Sequence, residues 1–236
     1  MDQRIPGLVS VVIPVYNALP YLEASLNSIL GQTYRHIEII VVDDCSTDDC
    51  PRWVAKWKAM HRQHLSPDAF VYLRLPRNVK QAGSATCGLF LARGEFIACQ
   101  AADDISATTR IERQVAYMRA NPDVDMVGTN YATFAGESLA TSTLAYSGWL
   151  RFGREEIRDA YARGLHCVCD GTILLRGTTF DAIGGWTRAL GAASDFDFIA
   201  RYVTRGAIVD NMPDVLYYYR LHDGQTTRRL ARGEVW

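Results

Sequence analysis

Apolar residues in this chain fall in short, mostly apolar runs, each followed by a stretch in which they recur every three or four positions. Residues 9–13, 37–42, 70–75, 96–100 and 124–129 are runs of the first kind. Near-continuous apolarity is what a strand covered on both faces requires, whereas a half-exposed strand alternates. Between the runs, Leu22, Leu26, Ile29 and Leu30 share one face of a helix over 20–30 that Gly31 stops. Helices are likewise expected over 53–64, over 81–92 despite Gly83 and Gly88, and from 110 to about 120, where Thr109 and Glu112 fit a capping box. The alternation of strand and helix predicts an α/β fold with a Rossmann-like, mostly parallel central sheet and helices on both faces.

The second half of the chain is less regular. Residues 135–153 are rich in Ser, Thr and Gly and show no firm period, so loop and short strand are expected there. A helix over 155–162, a strand over 171–176, a short helix over 179–183 and strands over 207–209 and 215–219 follow. The helix that opens at Ser194 carries Phe198, Ile199, Tyr202 and Val203 on one face, with Ser194 and Asp197 spaced like a capping pair, and Gly206 ends it. The tail over 228–236 carries no end-of-domain signal, so the sequence reads as one domain that could be cut from a longer chain.

At 236 residues, 48% hydrophobic and 22% charged, the chain can bury a substantial core and reads as globular throughout. A formal net charge of −1 leaves no electrostatic footprint for nucleic acid. Six cysteines are scattered without a CxxC pair, as expected of reduced, mostly buried thiols; Cys167 and Cys169 would share one face of a strand. No signal peptide and no membrane-length apolar stretch is evident, so the expected setting is cytoplasmic, with docking at the inner face of the membrane left open.

The candidate chemistry lies at strand ends. Asp43 and Asp44 close one apolar run, and Asp103 and Asp104 shortly follow another. In an open α/β sheet, ligands collect beyond the carboxyl ends of the strands, so two such acidic pairs can meet in one crevice. A dinucleotide-binding fold is disfavoured because the first strand-to-helix turn holds Pro14, Tyr16 and Asn17 instead of a glycine fingerprint.

Strings of residues, in order and spacing, resemble the family 2 glycosyltransferases from about Leu8 to Thr227. They include Val11 to Asn17, Ser28 to Tyr34, Glu38 to Asp48, Ala92 to Ile97, Ala102 to Ile105, Arg110 to Gln114, Gly184 to Trp186, Ser194 to Asp197 and Leu216 to His222. The resemblance implies a GT-A fold, a nucleotide-diphosphate sugar donor, with a UDP-sugar favoured, a carbohydrate or glycolipid acceptor, Mn²⁺ or Mg²⁺, and inversion at the anomeric carbon. It also implies a nucleotide-sugar-binding part over 8–134 and an acceptor and catalytic part over 135–227.

Residue by residue, the resemblance gives Asp44 the recognition of base or ribose and sets Pro14 and Tyr16 beside the base; for Asp43, binding and turn capping balance. Asp103 and Asp104 match the last two acidic positions of a D-x-D-D segment whose first Asp is replaced by Ala101, which makes both metal candidates, with Asp103 also reaching the nucleotide. Asp195 matches the general base, with Ser194 where a Glu often precedes it. His222 matches a segment that in relatives closes over the pyrophosphate and offers a metal ligand. Arg220 could meet phosphate or serve a structural ion pair. Lys80 and Ala85 stand where many relatives have Gly and Arg, and Lys80 could restore the missing positive charge. Two rivals follow: a nucleotide-binding module that has lost catalysis, kept open by Ala101, and a nucleotidyltransferase, which lacks support because no glycine- and lysine-rich loop follows the first strand.

Overall fold

The structure, a computed structural model, describes residues 4–231 except 67, 137 and 147. Residues 232–236 of the expected tail lie outside the described residues. Strands β1 (Ile5–Val15), β2 (Ile37–Asp43), β3 (Phe70–Arg74) and β4 (Gly94–Cys99) alternate with helices α1 (Leu19–Leu30), α2 (Cys50–Met60) and α3 (Lys80–Leu91). A short β5 (Ile105–Ser106) leads to α4 (Arg110–Ala120), β6 (Met126–Ala135), the two-residue β7 (Ala145–Tyr146) and α5 (Arg154–Ala162). After a 3-10 turn at Asp170–Thr172 come β8 (Leu174–Arg176), α6 (Gly177–Ile183), α7 (Ser194–Thr204), β9 (Val209–Leu221) and α8 (Thr226–Ala231).

One sheet runs through the described residues in the order β3-β2-β1-β4-β8-β6-β9-β5, with β7 on the edge of β6. It is mixed. β1 pairs in parallel with β2 and β4, β2 with β3, and β6 with β9. The short β8 is inserted antiparallel between β4 and β6, and β5 pairs antiparallel with β9. The expected parallel core therefore holds for the first four strands, and the second half of the chain brings in the antiparallel members.

The apolar runs are explained by helices on both faces. Val9, Val11, Ile13, Val15, Ile39 and Val41 pack with Leu22, Leu26, Val54, Trp57, Ile111 and Met118 on one side. Val12, Ile40 and Val42 point the other way, toward Leu89, Ile157, Phe180, Phe198 and Tyr202. Gly88 lets α3 lie directly on the sheet, since a Cβ there would collide with Val12 and crowd Val42. That close approach holds the start of α3 over the carboxyl ends of β1 and β2.

Two local expectations turn out differently. Thr109 does precede α4, but its side chain makes no cap bond; Glu112 instead accepts from the Thr33 hydroxyl at 2.7 Å. Likewise Asp197 takes Arg201 at 2.9 Å, one turn along, instead of pairing with Ser194. In each case a tertiary or intrahelical partner outcompetes the cap. Cys167 and Cys169 are both buried but lie outside any strand.

Candidate functional site

The loops at the carboxyl ends of β1, β2 and β4 lie along one edge of the sheet, and the acidic residues there are used unequally. Asp43 is a brace: its Oδ1 accepts from the Ser46 N–H at 2.8 Å and its Oδ2 from the Tyr72 hydroxyl at 2.6 Å. Asp44 is buried too, and its Oδ1 accepts from the Val79 N–H at 2.6 Å, tying the β2 loop to the start of α3. Burial pushes the Asp44 carboxyl above its ordinary value, with the backbone N–H groups of Val79 and Lys80 opposing the shift. Asn17, Cys45 and Lys80 all adopt left-handed backbone, at φ of 50°, 62° and 67°, around this edge. Such conformations cost a non-glycine residue on the order of 1 kcal/mol each and concentrate at functional sites. At Lys80 the conformation is the one a glycine takes at no steric cost, which accounts for the glycine expected at that position. Tyr16, 46% exposed, stands on this edge beside half-buried Pro14, and the Lys80 side chain is exposed beside Asp44.

On the β4 side the two members of the second pair differ. Asp104 is buried, its Oδ1 accepting from the Arg220 N–H at 2.8 Å and its Oδ2 from the Tyr217 hydroxyl at 2.8 Å. Burial first, and the neighbouring Asp103 second, push its carboxyl well up, which disfavours the ionised form a cation would need. Asp103 is half-buried. Its Oδ2 lies 2.9 Å from Nε2 of His222, whose ring rests on Tyr21 with centroids 4.3 Å apart. Arg220 is buried behind them: its Nε donates to the Asp103 carbonyl at 2.7 Å, and its guanidinium lies over the rings of Phe134 and Tyr21 at 4.5 and 5.2 Å. This cation secures the Asp103 backbone from the rear. Ala101, in place of an Asp, donates its N–H to the Tyr217 hydroxyl at 3.2 Å and accepts from Ser25 Oγ at 2.8 Å.

The third group comes from the second half of the chain. Asp195 sits in the first turn of α7, where a helix N-terminus favours negative charge. Its Oδ1 accepts from the Phe196 N–H at 3.0 Å, and its Oδ2 lies 3.7 Å from Nε2 of His166. Asp170 lies in the 3-10 turn before β8. Its carboxyl is pushed up to about 6, first by desolvation and then by the charge of Asp195, with Asp103 adding to the rise. The same turn touches the Asp104 cluster, since a Cβ on Gly171 would stand 2.6 Å from the Tyr217 hydroxyl.

The structure thus brings Asp103 and His222 together, sets Asp44, Tyr16 and Lys80 along the neighbouring strand ends, and turns Asp104 and Arg220 into the packing beneath. His166, Asp170 and Trp149 were not legible in the sequence. Each lies in an irregular stretch, and its importance comes from what the fold sets beside it.

Comparison with known proteins gives a consistent result. The model for glycosyl transferase family 2 matches residues 10–184. EpsE of Bacillus subtilis, named as a glycosyltransferase, is 30% identical over 94% of this chain and 76% of its own. The Escherichia coli protein WfaP, a UDP-Glc:alpha-D-GlcNAc-diphosphoundecaprenol beta-1,3-glucosyltransferase, is 26% identical over 93% of this chain and 80% of its own. Among solved structures, residues 1–349 of TarS from Staphylococcus aureus in complex with UDP-GlcNAc match 92% of this chain with a TM-score of 0.73 at 21% identity. The mannosyltransferase PcManGT from Pyrobaculum calidifontis, solved with GDP-Man and Mn²⁺, matches 95% with a TM-score of 0.70 at 20% identity. The chain spans 60% of the length of each of these solved chains.

Proposed function

The chain belongs to glycosyl transferase family 2, and from that premise we propose that it transfers a sugar, with inversion, from a nucleotide-diphosphate sugar to a carbohydrate or glycolipid hydroxyl. The observation that carries the proposal is the side-chain pair at the carboxyl end of β4, where Asp103 Oδ2 lies 2.9 Å from His222 Nε2. Asp195, the base candidate, comes from the second half of the chain, in the first turn of α7.

Asp44, Pro14 and Tyr16 hold the nucleoside, with the exposed Tyr16 ring available as an apolar face for the base. Lys80, in the first turn of α3, meets phosphate where a helix N-terminus already favours an anion. A divalent cation fits beside them, because Asp103 and His222 present one carboxylate and one imidazole nitrogen 2.9 Å apart. Among the described residues no group of three acidic, His or Cys side chains could hold an ion alone. Mg²⁺ and Mn²⁺ can be held by one or two protein ligands when substrate phosphates and water complete the shell. Bound there, the cation would offset the charge that gathers on the departing nucleoside diphosphate.

Asp195 accepts the proton of the acceptor hydroxyl as the oxygen attacks the anomeric carbon. Attack on the side opposite the leaving diphosphate gives a single displacement and inverts the centre. A UDP-sugar is the favoured donor, since the TarS neighbour was solved with UDP-GlcNAc, and glycan synthesis is the favoured process, in line with WfaP. Free cysteines at six described positions favour a reducing, cytoplasmic setting. Among the described residues no helix is long and apolar enough to cross a membrane.

The test is release of nucleoside diphosphate from a panel of UDP- and GDP-sugars with Mn²⁺, over a panel of glycoside acceptors. Asp195→Asn should cut turnover by at least ~100-fold while leaving nucleotide affinity, read by calorimetry, unchanged. Nucleotide binding without turnover on any donor would favour the non-catalytic binding module.

A further inference from the structure

His166 has no part in the chemistry described so far, yet its imidazole lies between two polar side chains from different elements. Nδ1 is 2.8 Å from the hydroxyl of Tyr161, in the last turn of α5, and Nε2 faces Asp195 Oδ2 in the first turn of α7. Aromatic rings confine it: Trp149 at 5.2 Å, and Phe196 and Tyr161 each at 6.0 Å between centroids. The ring is thus confined, hydrogen-bonded to Tyr161 at one end and facing the Asp195 carboxylate at the other.

We propose that His166 is a positioning residue for Asp195: the Tyr161 hydroxyl donates to Nδ1, which leaves the imidazole proton on Nε2, and this N–H fixes Oδ2 of the base in the orientation that meets the acceptor hydroxyl. The inference rests on Asp195 being the base. Burial supports it, because it lowers the pKa of His166, so the ring is neutral and carries a single proton, even though Asp195 opposes the shift. Burial also keeps the Tyr161 hydroxyl protonated. Near these groups stand the Cys167 thiol, pushed up to about 11 by burial with Arg151 opposing and hence neutral, and Asp170, whose carboxyl burial and then the charge of Asp195 raise. None of them competes for Nε2. Asp195 Oδ1 is already held by the Phe196 N–H, so a donor at Oδ2 leaves the carboxylate one rotamer. A separation of 3.7 Å is loose for a hydrogen bond. Catalytic contacts of this kind tighten when substrate closes the site.

Two measurements on the full chain test the inference. Imidazole ¹⁵N spectra should report His166 as the neutral Nε2–H tautomer, its Nε2 resonance shifting in Asp195→Asn and its tautomer ratio changing in Tyr161→Phe. An Nδ1–H tautomer, or a resonance indifferent to Asp195→Asn, would overturn the proposal whether or not a donor has been found. In kinetics, His166→Phe keeps the ring against Trp149 and Phe196 but removes the donor. Its kcat should fall at least 10-fold with the donor KM unchanged, and the acid limb of the kcat profile should move to higher pH as the carboxylate loses a stabilising hydrogen bond. His166→Gln, with an amide near the Nε2 position, should recover part of the loss. A normal kcat and acid limb in His166→Phe, alongside an inactive Asp195→Asn, would sink the positioning role alone. An active Asp195→Asn would sink the assignment of the base and this inference with it.

Discussion

At the scale of single residues, Asp43 and Asp44 are both buried and tied to backbone N–H groups, whereas in the second pair Asp104 is buried and Asp103 reaches the His222 ring at 2.9 Å. The second pair makes the distinction measurable. Asp103→Asn should abolish the Mn²⁺-dependent gain in UDP affinity, while unfolding in the absence of ligand stays close to that of the parent. Asp104→Asn should keep the metal response but destabilise the fold by about 1–3 kcal/mol, because an amide must share a buried pocket built by the Arg220 N–H and the Tyr217 hydroxyl. Calorimetry with and without Mn²⁺, beside urea denaturation, reads both, and the opposite pattern would reassign the ligand. Sequence could bring the pair to the right strand end but not separate its members, because neighbouring positions in a loop carry no record of which side chain turns inward. The same holds for His166 and Asp170. A His in an irregular loop and an Asp before a Gly are unremarkable until the fold sets Asp195 beside them.

At the scale of elements, α4 shows how a helix with little apolar surface is held. Arg110 is fully buried, and its guanidinium donates to the carbonyls of Cys99 and Ile173 and to Gln100 and Ser106, at 2.9 to 3.3 Å, while lying 5.1 Å over the Tyr217 ring. Gln114, one turn on, donates to Val127 and Thr172 carbonyls. Arg110→Leu should therefore cost about 3 kcal/mol, since it strands several buried acceptors at once. On the same helix Arg113 is paired with Asp214 at 2.7 Å but is 46% exposed, so Arg113→Ala should cost under about 1 kcal/mol. Equal losses in chemical denaturation would contradict this account of the helix. Helices and parallel strands were legible because their periods are long and their apolar faces clean. β9 was not: Pro213 and Asp214 look like a break between two strands, and the chain in fact runs on as one strand, taking the interruption as a register shift against β6 near Asn130.

At the scale of the whole molecule, burial raises several carboxyls, and this ties stability to pH. Asp170, raised to about 6 from an ordinary 3.8, holds a proton in the folded state between those values that the unfolded chain has lost. Its contribution therefore improves as pH falls through 6 toward 4 and is most unfavourable above 6. Asp44 and Asp104, shifted the same way, add to the trend. Asp170→Asn should thus raise stability at pH 7.5 by about 1 kcal/mol, after allowance for its partial exposure, with the advantage fading near pH 4.5. Denaturant midpoints across that range would test it, and an advantage that grew on acidification would refute it. The sheet itself could be foreseen only in part, because the antiparallel insertion of β8 depends on a strand of three residues, too short to declare a direction. The long parallel pairing of β6 with β9 also bears on how the protein is made. On the ribosome β6 appears well before its partner, so its edge waits unpaired, a template for any passing strand, until β9 arrives. His222 follows β9 in turn, so a chain still being synthesised holds Asp195 before the imidazole that meets Asp103 has appeared.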